Sequence, residues 1–159
     1  MIQIVEFTRD NIPFLNSIRN QCAEEYLHDS RKFSVDDTYK WFDKTKPEYY
    51  LITYNTTPIG YFRTSNYSEI NKNIYIGADL HPDWRGKGLA YLSYKVFIPM
   101  MFDKYSLNKI SLEVLSTNQV AKNLYKKLGF IYEGTKREDI YKQDKYIDSE
   151  IWSILKREY

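Results

Sequence analysis

"HPDWRGKGLAYL", residues 81–92, follows the apolar alternation "NIYIGADL" of residues 73–80 and opens a run in which Leu89, Leu92, Val96 and Met100 recur at helical spacing. A strand that feeds a glycine turn and then a helix decides how the whole chain is read. The first N–H groups of a helix have no intrahelical acceptor and carry the positive end of its dipole, so such a turn is an anion site. Gly86 and Gly88 remove side chains that would hold a phosphate away, and Leu89 and Ala90 supply the first helical N–H groups. Arg85 can fork onto phosphate oxygens, while Lys87 acts as a point charge. A pyrophosphate fits this arrangement. The turn lacks the four-residue glycine gap and Lys-Ser/Thr ending of a P-loop, and the third glycine of a dinucleotide fingerprint is missing.

Upstream of the turn, "IQIVEF" alternates as a half-buried strand does, and Thr8 reads as the cap of a helix through "IPFLNSIRNQCAEEYL". Ser34 with Asp37 predicts a second, short helix over "SVDDTYKWF". "YYLITY" and "PIGYFRTS" read as strands preceding "NIYIGADL", separated by "NTTP" and the polar loop "NYSEINK". Downstream, Pro99 predicts a kink or an early end to the helix that Gly88 opens. "KISLEVL" is a strand, Asn118 caps a helix over "QVAKNLYKKL", and Gly129 is its C′ residue. Strands near "FIYEGTKR" and "DSEIWSIL" complete the pattern, which predicts a mixed sheet covered on two faces.

The length, 159 residues, predicts one domain, residues 1–159, burying about two-thirds of its unfolded surface. Its 23 basic residues are interleaved with 21 acidic ones for a net charge of +2, so the electropositive face of a nucleic-acid binder is not expected. A single cysteine, Cys22, excludes an intrachain disulfide framework, and neither a zinc-spaced Cys/His cluster nor a secretory apolar region is present. A cytoplasmic protein without metal is expected. No window approaches about 18 apolar residues, so no membrane-spanning helix is expected. The 16 tyrosines suit both a core edge and a ligand pocket, and most are read as packing.

The chain resembles the GNAT family of N-acetyltransferases. Their pyrophosphate loop reads Gln/Arg-x-x-Gly-x-Gly/Ala, satisfied by Arg85, Gly88 and Ala90, and their later signature is matched by "LEVLSTNQVAKNLYKKLGF". The resemblance covers essentially the whole chain. It implies an α/β (α+β) fold with a mixed, mostly antiparallel sheet of six to seven strands flanked by about four helices. It also implies transfer of acetyl from acetyl-CoA to a primary amine by direct attack in a ternary complex, with no metal. A backbone N–H at a splay in the fourth strand then holds the acetyl oxygen, which maps to Leu80 with Ala78 and Asp79 beside it. In the ribosomal-protein members, Glu113, Asn118 and Tyr125 match the positions of a base, an asparagine that meets the pantetheine arm while capping its helix, and a thiolate-protonating acid. Asp79 and His81 are the other candidate bases. Cys22 is read as a small helix residue, since direct attack needs no cysteine nucleophile.

For the acceptor, the segment between the first two helices resembles members acting on nucleotide-linked amino-deoxy sugars, with Arg19-Asn20 in the first helix and Trp41-Phe42 closing the second. Tyr26, Tyr39 and Trp41 could stack on a sugar or base, Arg19, Arg31 and Arg63 could meet a diphosphate, and His28 and Asp29 could grip hydroxyls or the amine. A protein N-terminus is the alternative acceptor, and a silent acyl-CoA-binding module the alternative of another class. A homodimer is compatible with the resemblance.

Overall fold

A computed structural model describes residues Met1–Tyr159. Seven strands form one sheet in the order β1-β2-β3-β4-β5-β7-β6: β1 (Ile2–Glu6), β2 (Tyr50–Tyr54), β3 (Thr57–Ser68), β4 (Asn73–Leu80), β5 (Lys109–Leu115), β6 (Ile131–Lys142) and β7 (Lys145–Leu155). The helices are α1 (Ile12–Cys22), α2 (Val35–Thr45), α3 (Leu89–Tyr105) and α4 (Gln119–Leu128). Pairing is antiparallel for β1/β2, β2/β3, β5/β7 and β6/β7. It is parallel for β4/β5, from Asn73↔Lys109 to Tyr75↔Ser111. The sheet is mixed and mostly antiparallel, as expected. No helix is long and apolar enough to cross a membrane.

The chain divides into two compact units, residues 1–64 with 78–93, and residues 65–77 with 94–159. In the first, Phe7, Ile12, Leu15, Ile18, Cys22, Leu51 and Tyr61 form a buried cluster flanked by Phe42 and Tyr49. Ile12, Leu15, Ile18 and Cys22 recur at three- and four-residue spacing, which places one face of α1 in this core. Buried Asn16 donates to the Phe33 carbonyl and to Thr38 Oγ1, each at 2.8 Å. Asn20 and Phe33 exchange two more hydrogen bonds, so the segment leading to α2 is fastened to α1. α1 ends at Cys22, earlier than its apolar period predicts, and continues only as a turn closed by Tyr26 N–H on the Cys22 carbonyl at 2.9 Å. Ser34 caps α2 by accepting from Asp37 N–H.

In the second unit Phe97, Ile98, Met101, Phe102, Ile110 and Leu112 are almost fully buried. Asn118 caps α4 by accepting from Ala121 N–H at 3.1 Å, and Gly129 closes it at φ +93°. Two sequence expectations are corrected here. α3 runs through Pro99 without ending, and "NYS", read as loop, is the end of β3. β6 and β7 also extend beyond the residues predicted, meeting at Gln143-Asp144, both at positive φ as a tight hairpin turn demands.

Candidate active site

Gly86 and Gly88 lie at φ +70° and +74°, in the left-handed region that L side chains rarely adopt, and a Cβ at either would meet open space. The turn is shaped by its backbone. Leu92 N–H donates to the Gly88 carbonyl, so Leu89 and Ala90 precede the helical ladder of α3. The donor set therefore suits an anion such as the pyrophosphate of coenzyme A.

The two cations of the turn are held by the chain itself. Arg85 donates from Nε to the Leu80 carbonyl at 2.9 Å and from Nη2 to Cys22 Sγ at 2.8 Å, with its guanidinium 5.5 Å from the Tyr26 ring centre. Lys87 donates to the Asp83 carbonyl at 2.7 Å and lies over the Trp84 ring. His81 caps the short 3₁₀ turn at Pro82–Trp84, accepting from Asp83 N–H, and stacks on Phe14.

Asp79, on β4, is buried and paired with Arg63 on β3, with 2.9 Å between Nε and the carboxylate. The alternation that buries Tyr61 puts Arg63 on the same face of β3. Tyr61 is fully buried, and burial first, then the Asp79 charge, pushes its phenol well above the usual range. The Cys22 thiol is raised by burial first and Asp79 second, against the opposing pull of Arg85. Gly60 permits this assembly: a Cβ there would collide with the Asp79 carbonyl oxygen and lie 2.6 Å from Leu80 Cδ2. An isolated glycine in a strand is the sequence signal of such an approach. Tyr61 and Cys22 had no signal beyond their periodicity.

In the second unit Glu113, on β5, is paired with Lys136 Nζ at 3.1 Å and 3.2 Å. The carboxylate raises the Lys136 ammonium above its ordinary value, chiefly by this hydrogen bond. Tyr125 is 8% exposed on α4, edge-on to Tyr94 at 6.1 Å and tilted against Phe130 at 6.0 Å. Its ring is part of the core.

The residues read as acceptor contacts are largely engaged with one another. Arg19 donates to the Arg31 carbonyl at 2.5 Å and lies over the Phe33 ring. Arg31 grips Asp29 with Nε at 3.0 Å and Nη2 at 2.6 Å, and this holds the Asp29 carboxyl down at about 2. Trp41 packs at 5.6 Å from Tyr49, and Tyr39 lies under the Arg9 guanidinium. His28 is half-buried on the same segment.

Residues 13–130 match the family model described as "Acetyltransferase (GNAT) family". A Bacillus subtilis (strain 168) protein provisionally named a ribosomal N-acetyltransferase is 24% identical over 108 residues; the match takes in 68% of this chain and spans 59% of that relative's length. The spermidine N-acetyltransferase of Vibrio cholerae, solved with CoA and spermine, superposes with a TM-score of 0.93 at 21% identity over 99% of this chain and 97% of that one. A Salmonella typhimurium protein provisionally named an acetyltransferase, solved with acetyl-CoA, gives 0.81 at 15% identity, over 97% and 93%.

Proposed function

The chain belongs to the GNAT acetyltransferase family, and from that premise we propose that residues 1–159 form one N-acetyltransferase domain moving acetyl from acetyl-CoA to a primary amine. The observation that carries this reading is the glycine turn at residues 85–90, with Gly86 and Gly88 at positive φ, open space at both Cβ positions, and α3 opening directly after it. When bound, acetyl-CoA supplies an activated thioester. Backbone N–H groups from Gly86 to Ala90 would hold its pyrophosphate, and the Leu80 N–H, with Ala78 and Asp79 beside it, would polarise the acetyl oxygen.

The remaining roles belong to side chains. Tyr125 would give a proton to the departing sulfur, and Asn118 would meet the pantetheine arm with whatever its cap leaves of the amide. Glu113 would take a proton from the acceptor ammonium and so free the amine to attack, a task for which Lys136 must first release it. Asp79 faces the same demand with Arg63. Direct attack in a ternary complex requires no cysteine nucleophile, in keeping with the buried, neutral character that burial gives Cys22.

For a nucleotide-linked amino sugar to be the acceptor, its diphosphate would have to draw Arg19 off the Arg31 carbonyl and Arg31 off Asp29. Those bonds count against that acceptor. The acceptor proposed is therefore a primary amine. A thiol-release screen with acetyl-CoA against spermidine, N-terminal peptides, free amino sugars and nucleotide amino sugars tests it. Release with any of these amines supports acetyl transfer and names the acceptor class, whereas binding of acetyl-CoA without release for all of them favours a silent acyl-CoA module.

A further inference from the structure

Building on the assignment of coenzyme phosphates to the turn at residues 85–90, we propose that Cys22 is a positioning residue for acetyl transfer: its sulfur clamps Arg85 against the Leu80 carbonyl and so fixes the phosphate turn on the end of β4. A guanidinium is planar, and its donors point in fixed directions. With Nε on Leu80 O at 2.9 Å and Nη2 on Cys22 Sγ at 2.8 Å, the plane of Arg85 is determined by two partners from two elements. Tyr26 covers its face from the turn that follows α1. One side chain thus joins the last residue of β4, the last residue of α1 and the first residue of the phosphate turn.

The chemistry of the clamp suits the site it serves. Cys22 is 2% exposed, and burial raises its thiol, so the partner offered to Arg85 is neutral. A carboxylate at this position would orient the guanidinium equally well but would cancel its charge. The thiol leaves that charge uncompensated beside the turn where the pyrophosphate is assigned. A lysine at position 85 would supply one point donor and could not hold both partners in one plane.

Calorimetric titration of free CoA, with no acceptor present, into wild type, Cys22→Ser, Cys22→Val, Arg85→Lys and the Cys22→Val/Arg85→Lys double variant tests the clamp. Urea midpoints would verify that each variant is folded. Cys22→Val keeps the site apolar, with a side chain one heavy atom larger, but removes the acceptor, and a weakening of about tenfold to a hundredfold is expected. Cys22→Ser restores an acceptor and should remain within about threefold of wild type. Arg85→Lys should lose at least as much as Cys22→Val, with no further loss in the double variant, since the sulfur then has nothing to hold. Amide hydrogen exchange at Gly86–Ala90 should quicken in Cys22→Val and in Arg85→Lys but not in Cys22→Ser, which a packing role alone would not produce. Arg85→Lys leaves the core volume at Cys22 untouched and tests the other end of the clamp if Cys22→Val does not fold. CoA bound equally by wild type and Cys22→Val, or losses that multiply in the double variant, overturns the clamp alone. Failure of wild type to bind CoA overturns the phosphate assignment and the clamp with it.

Discussion

Tyr159 donates its hydroxyl to the Lys95 carbonyl at 3.4 Å, and Lys95 stands four residues before Pro99, whose ring leaves that carbonyl without its helical donor. This bond helps to explain why Pro99 does not end α3. Pro99→Ala should stabilise the fold by about 1–3 kcal/mol, the upper end being the full helix penalty of proline. Tyr159→Phe keeps the ring beside Phe102 and should cost about 0.5–1 kcal/mol for one long, solvent-facing hydrogen bond. In the Pro99→Ala background that cost should vanish, because the backbone N–H restored at this position then serves the Lys95 carbonyl. Urea denaturation of the four proteins of this cycle measures it, and equal Tyr159→Phe costs in both backgrounds would remove the explanation.

At Gly88, backbone and charge can be separated. Gly88→Ala asks an L residue to hold φ +74°, at a cost of about 1–2 kcal/mol, without adding charge. Gly88→Glu adds a carboxylate where a phosphate is proposed to lie. Calorimetry should find CoA binding lost in Gly88→Glu and weakened by no more than about thirtyfold in Gly88→Ala. Equal affinities for Gly88→Glu and wild type would take the turn out of coenzyme binding.

The legible parts of this molecule are those decided by neighbours in the chain. Ser34, Asn118 and Gly129 act as the caps their positions predicted, because a cap is settled within four residues. The glycine turn was legible for the same reason. The apolar period alone would carry α1 further, because Tyr26, four residues past Cys22, continues it and neither glycine nor proline marks the stop after Cys22. The far ends of β3, β6 and β7 are polar, and only their ladders make them strands. The clamp between Cys22 and Arg85 joins residues 63 positions apart, and the pairing of Glu113 with Lys136 spans a distance of 23. No periodicity reports such meetings.

Tyr125→Phe retains the ring that packs on Tyr94 and Phe130 and removes only the hydroxyl. Its urea midpoint and CoA affinity should stay close to wild type. Turnover should fall about tenfold to a thousandfold if the phenol protonates the leaving sulfur, as is usual for loss of a general acid. Single-turnover acetyl transfer measures this step directly, and an undiminished rate would leave Tyr125 with its packing role alone.

Asp29 gives the segment between α1 and α2 a measurable acid response. Its folded value, about 2, lies below the ordinary 3.8, chiefly because of the hydrogen bonds from Arg31. A carboxyl depressed on folding adds stability that is complete above the unfolded value and is lost as pH falls through the folded one. The contribution should therefore disappear between about pH 4 and pH 2, and partial exposure keeps it small. Asp29→Asn should flatten the stability profile in that window and leave it parallel to wild type above about pH 5, as followed by urea midpoints. An unchanged slope below about pH 4 would mean that the Arg31 pair does not persist in solution.

Gly60→Ala makes the most demanding structural test, because its conformation would permit alanine while its surroundings would not. Gly60 has no positive φ to defend; what excludes a methyl group is the Asp79 carbonyl oxygen together with Leu80 Cδ2 at 2.6 Å and Leu80 Cα at 3.1 Å. Two of these three obstacles are backbone, which cannot swing aside as a side-chain end can. β4 must therefore move away from β3 at the two residues that carry the buried Asp79 and the proposed acetyl-oxygen donor. Overpacking of this kind costs about 1–3 kcal/mol. Displacing the Leu80 N–H should lower turnover more than it weakens CoA, whose phosphates are assigned to residues 86–90, beyond Leu80. Comparing kcat with the CoA dissociation constant and the urea midpoint separates these effects. A Gly60→Ala protein with unchanged stability and kcat would show that β3 and β4 do not approach as closely as this geometry requires.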